Sequence, residues 1–110
     1  MVGKKPPKQA PKITKAHLES MLTGKRKGAK LKEDVWKVED GEVVKYSLAY
    51  INHRICGADN GRVLGYDNSH DYHHRHFMGT VSPIEFDGFD SVLKRFEKEV
   101  YEMWREEDEK

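Results

Sequence analysis

The sequence predicts an α+β domain: a four-stranded, mainly antiparallel sheet with a packed C-terminal helix and a short N-terminal helix. Three observations carry this reading. Val44, Tyr46, Leu48 and Tyr50 alternate on one face of a strand, with Val43, Lys45, Ser47, Ala49 and Ile51 on the other. Asp40-Gly41 and Asp59-Asn60-Gly61 supply turn chemistry between such runs. Phe89, Val92, Leu93, Phe96, Val100, Met103 and Trp104 recur at three- and four-residue spacing, the period of a helix with one apolar stripe.

Taken in order, residues 1–12 hold Pro6, Pro7 and Pro11 among lysines and have little to bury, so disorder is expected there. Thr14 can cap a short helix that places Leu18, Met21 and Leu22 on one side and stops at Gly24. Lys25-Arg26-Lys27-Gly28 reads as a basic link. The first strand begins near Leu31 and includes Val35, Trp36 and Val38. Residues 42–52 form the second strand, and residues 53–61 a loop. Residues 62–67 form the third strand. Residues 74–82 form the fourth, with a partial break at Gly79 and an end at Pro83. The last helix starts at Asp87, Asp90 or Ser91. It exposes Lys94, Glu97, Lys98, Glu102 and Arg105, and ends in a frayed acidic tail. Trp36 and Trp104 are expected in the core. The organisation is thus a basic arm over residues 1–30, partly disordered and with a short helix, and an α+β domain over residues 31–110.

The 110 residues allow one domain with a small core, because 36% are apolar and 35% charged. No apolar run is long enough to cross a bilayer, and no signal-peptide pattern follows the basic N-terminus, so a cytoplasmic location is expected. The single cysteine, Cys56, excludes an internal disulfide and fits a small buried side chain. A net charge of +1 conceals an asymmetry: residues 1–32 carry ten Lys/Arg against one acid, and residues 33–110 ten against eighteen. A basic arm on an acidic body suits nucleic acid or an acidic partner. It also suits a solvated tail resting on its own acidic body.

Residues 65–77 hold four of the six histidines. Imidazole changes charge nearest neutral pH and is the commonest metal ligand. On a strand, His74 and His76 point one way and Arg75 and Phe77 the other. Phe77 is the expected core residue, which leaves His74 and His76 where solvent or substrate reaches them, near Asp67 and His70. Three chemistries fit. In metal-independent RNA cleavage, the two imidazoles serve as acid and base, Arg75 or Arg62 holds phosphate and Asp67 orients a ring. A metal site would draw on His70, His74, His76 and Asp67 or Asp71, but the spacing gives no strong signature, so no metal ligands and no cofactor are assigned. Arg75, Tyr66 and Tyr72 offer a third chemistry, phosphate or base binding without turnover. The bland alternative is an Asx turn at Asp67-Asn68 followed by histidines coating an exposed strand.

The run Tyr46-Ser47-Leu48-Ala49-Tyr50-Ile51, then Asp59-Asn60-Gly61-Arg62-Val63-Leu64-Gly65-Tyr66-Asp67-Asn68, then His70 and His73-His74-Arg75-His76, resembles the TumE family of bacterial toxins over residues 42–104. The resemblance implies the toxin half of a type II toxin–antitoxin pair, with a DNA-binding helix-turn-helix antitoxin as partner and RNA or translation as target. It carries over Asp67, Asn68, His70, His74 and His76 as site candidates. The combined expectation is a ribonuclease with His74, His76, Asp67 and His70 as catalytic residues. Arg75, Arg62, Tyr66, Asn68, Lys25, Arg26 and Lys27 are expected to contact RNA. The rival is a non-catalytic module that binds nucleic acid or protein.

Overall fold

A computed structural model describes residues 12–109. The chain folds as one antiparallel six-stranded sheet with strands in sequence order: β1 (Thr14–Met21), β2 (Lys30–Lys37), β3 (Val43–Ile51), β4 (Arg62–Asp67), β5 (His74–Phe77) and β6 (Thr80–Pro83). Among the described residues one α-helix, α1 (Phe89–Asp108), follows and packs on β3 and β4. The α+β class and the C-terminal helix are as the sequence predicts. The strand count is six rather than four, for two reasons.

The expected N-terminal helix is instead β1, which pairs along its length with β2, from Thr14 opposite Lys37 to Met21 opposite Lys30. The apolar spacing of Leu18, Met21 and Leu22 suits a helix only if something covers that side. In the fold Leu18 and Met21 stay exposed, and the backbone pairing with β2 decides the conformation. Gly24 begins a short 3-10 turn instead of ending a helix. The second extra strand arises at Gly79. The break there is a tight turn, with Met78 and Gly79 both at positive φ, that separates β5 from β6. The expected disorder of residues 1–12 lies almost wholly outside the described residues.

One face of the sheet carries α1. Tyr46, Leu48 and Tyr50 of β3 and Leu64 and Tyr66 of β4 meet Val92, Phe96 and Val100 there, all nearly solvent-free. Cys56 is buried in the same cluster. Trp104 packs edge-on against Tyr50 at the margin of this core. Trp36 is not core: it lies on the opposite face with the ammonium groups of Lys15 and Lys45 4.9 and 4.8 Å from its ring centroid. Gly88 takes the N-cap position of α1, in place of the expected Asp87, Asp90 or Ser91, and no side chain caps the helix. The acidic end is not frayed. α1 runs through Asp108, and Arg26 reaches Glu107 and Asp108 at 3.2 and 3.0 Å while lying over the Trp104 ring. Among the described residues, no helix is long and apolar enough to cross a membrane.

Candidate functional site

Strand alternation and register build the site. Asp67 and Gly65 of β4 stand opposite His74 and His76 of β5, and all four face away from α1. Tyr66 and Leu64 stand opposite Arg75 and Phe77 on the helix-bearing face. Gly65 is needed here because Arg62 crosses it. A Cβ at that position would lie 2.5 Å from Arg62 Cδ and 3.0 Å from the Leu48 carbonyl oxygen. With no side chain in the way, the Arg62 guanidinium reaches Asp67.

Asp67 bridges the two imidazoles. Its Oδ1 lies 2.7 Å from His74 Nε2, and its Oδ2 lies 3.1 Å from His76 Nε2. Arg62 Nη1 donates to Asp67 Oδ2 at 3.3 Å, while Nε and Nη2 donate to the Asp59 carboxylate at 2.7 and 3.0 Å. His74 Nδ1 meets the Tyr72 carbonyl oxygen at 3.0 Å. Both nitrogens of His74 therefore face acceptors, and the ring makes both bonds only when doubly protonated. His76 differs. Its Nδ1 stands 3.0 Å from Arg62 Nη2, a pure donor, so Nδ1 accepts and Nε2 carries the proton of the neutral ring. Burial, then the Arg62 charge, pushes the His76 pKa down, opposed by Asp67 and Asp59. His76 Nε2 approaches Asp67 off the line of a hydrogen bond and is left buried without a partner. The Arg62 hydrogen bond holds Asp59 below the usual carboxylate range.

Burial departs from expectation. His74 is 3% exposed and His76 9%, whereas Phe77, the expected core residue, is 40% exposed. The facing directions are those expected, but Tyr72 stacks on His74 with ring centroids 4.4 Å apart and shields it. Phe77 lies toward the margin of the helix-bearing face, with the Arg75 guanidinium over its ring.

The remaining candidates separate. Arg75 lies on the helix-bearing face, with Nη2 2.6 Å from Glu99 Oε2 and Nε 3.1 Å from the Tyr66 hydroxyl. Tyr66 is in the core, and its hydroxyl donates to Glu99. Burial, then Glu99, raises its pKa to about 12. Asn68 extends the edge of β3: its Oδ1 accepts from Tyr46 N at 3.0 Å and its Nδ2 donates to the Val44 carbonyl at 3.1 Å. Ser69 N donates to Asp67 Oδ1 at 3.0 Å, so the Asx turn exists beside the histidine cluster. His70 is exposed at a left-handed φ of 61°. Lys25 and Lys27 are exposed at the link before β2, and Arg26 is tied to α1. His73 faces the other way from His74. It stacks on Phe86 at 3.7 Å and bonds the Tyr46 hydroxyl at 2.9 Å.

Sequence reasoning passed over Asp59, treated as a turn residue, and Tyr72 as a cover. Asp59 stands three residues before Arg62, a separation that pairs opposite charges across a tight turn; that was its available signal. A groove of about 230 Å³ adjoins the site on the open face, lined by Lys32, Ser47, Ala49, Asp59 and Arg62. Among the described residues, Asp67, His74 and His76 form a group able to hold a metal ion.

No match to this chain is found among curated proteins or among solved structures. A family model described as Toxin TumE matches residues 26–104, which adds β2 to the span resembling that family in the sequence and includes every residue of the buried cluster. The chain belongs to the TumE toxin family.

Proposed function

We propose that this toxin is a cytoplasmic ribonuclease, held in check by a DNA-binding helix-turn-helix antitoxin of a type II pair. The observation that carries the reading is one carboxylate, Asp67, holding two imidazoles beside a guanidinium on the open face of the sheet. His76 is the base. A substrate phosphate competes for Arg62, which frees the Nδ1 lone pair that Arg62 occupies in the free protein. Nδ1 then takes the ribose 2′-OH proton. The 2′-oxygen attacks phosphorus, and Arg62 offsets the charge that builds on the phosphorane oxygens. His74 is the acid: in its protonated form it turns its Nε2 proton from Asp67 Oδ1, 2.7 Å away in the free protein, to the leaving 5′-oxygen. The products are a 2′,3′-cyclic phosphate and a free 5′-hydroxyl. Arg75 has no part, because Glu99 holds it across the sheet. Lys25 and Lys27 add sequence-independent RNA affinity that falls as salt rises.

The burial of both histidines favours one rival, a module that binds RNA or protein without turnover. Purified protein in EDTA separates the two. The ribonuclease reading expects RNA cut with a cyclic phosphate end, and no cleavage of the same oligonucleotide carrying 2′-deoxyribose at the scissile position. Binding without any cleavage supports the rival, and cleavage of the deoxy substrate contradicts the 2′-OH mechanism.

A further inference from the structure

We propose that Asp67, His74 and His76 form a binding site for one divalent transition-metal ion of the zinc class. The ion would occupy the His74 Nε2 that the ribonuclease reading uses as proton donor, so the bound form is inactive on that reading, and binding is measured without RNA. His74 and His76 are two residues apart on β5, and Asp67 is the register partner of His74 on β4, so the sheet itself presents the three donors on one face. One ligand atom from each residue lies within 4.8 Å of the others, and all three residues are buried. Donors around a tetrahedral ion with bonds of about 2.1 Å stand about 3.4 Å apart, so side-chain rotations of about an ångström gather them.

Two features point to a cation. His76 Nε2, in a residue 9% exposed, has no hydrogen-bond partner and is aimed at Asp67. His74 Nε2 and Asp67 Oδ1 lie 2.7 Å apart, so a ligating nitrogen and a carboxylate oxygen already face each other across the place an ion would take. Each imidazole also has an outer partner for its other nitrogen, as ligating histidines require. His74 Nδ1 has the Tyr72 carbonyl at 3.0 Å; His76 Nδ1 has Asp59 Oδ2 at 3.3 Å, which it bonds when an ion on Nε2 shifts the proton to Nδ1 and Arg62 Nη2, 3.0 Å away in the free protein, gives way. Arg62 opposes the ion, but Asp59 and Asp67 together outweigh its single charge. Two imidazoles and one carboxylate select zinc, cobalt or nickel over magnesium and calcium.

The test is a zinc titration of the full chain by calorimetry. One equivalent is expected to bind. Asp67→Asn, His74→Gln and His76→Gln each weaken affinity at least about tenfold, and Asp59→Asn weakens it about 10- to 100-fold. His17→Gln with His70→Gln, both exposed, leaves affinity unchanged, and excess magnesium does not compete. Absence of stoichiometric binding, unchanged affinity in His76→Gln, or loss in the His17/His70 variant overturns the site. Imidazole nitrogen spectra of the unaltered protein cover the case in which a variant fails to fold. Zinc is expected to shift the His74 and His76 rings, and shifts confined to other histidines overturn the proposal.

Discussion

At Gly65, an added methyl would press on Arg62 Cδ and on the Leu48 carbonyl oxygen. Gly65→Ala therefore costs about 1–3 kcal/mol of stability, read by denaturant unfolding, and lifts Arg62 from Asp67. Glu33 shows a second strain. It sits on the helix-bearing side of β2, opposite Leu48, where burial and then the Glu97 charge raise its pKa above the ordinary 4.5. A carboxyl whose folded pKa is raised favours the folded state below pH 4.5 and loses that contribution as pH rises through the folded value. Glu33→Gln is thus expected to match the unaltered Tm at pH 4 and exceed it at neutrality, in melts across that range. At this scale the sequence was informative about direction and silent about depth. Alternation alone puts His74 and His76 opposite Phe77. Their burial depends on Tyr72 and Arg62, which no periodicity reveals.

Elements were legible where one face is buried. The alternation of β3 from Tyr46 to Tyr50 and the stripe of α1 exist because each lays one side against the other, and both appear as the sequence implies; Val44 is exposed and Val43 packs on the core in its place, where the pairing with β2 shifts register. β1 was not legible, because it buries neither face and its conformation is set by hydrogen bonding to β2. The connection from β1 to β2 is tied to the end of α1 by Arg26, an ion-pair contact that sequence cannot pair across so many residues. Arg26→Ala should lower the Tm at low ionic strength, with the gap narrowing as salt screens the exposed partners. A gap independent of salt would assign the effect to the Trp104 packing instead.

For the whole molecule, the sheet divides the labour. One face and α1 hold the core, including Tyr46 and Tyr66, whose hydroxyl pKa values burial raises to about 12. The other face is polar and carries the Asp67 cluster, the adjoining groove with Lys32, and Lys15 and Lys45 beside Trp36. The charge asymmetry of the sequence is partly spent within the fold, because Arg26 meets the acidic end of α1. The central claim is that the paired imidazoles cut RNA, and the most direct measurement compares cleavage rates in EDTA. The His74→Ala, His76→Ala double variant, folded by circular dichroism, is expected to lose at least about a hundredfold in rate while RNA binding persists. Equal rates for the two proteins would contradict the assignment of acid–base chemistry to this pair.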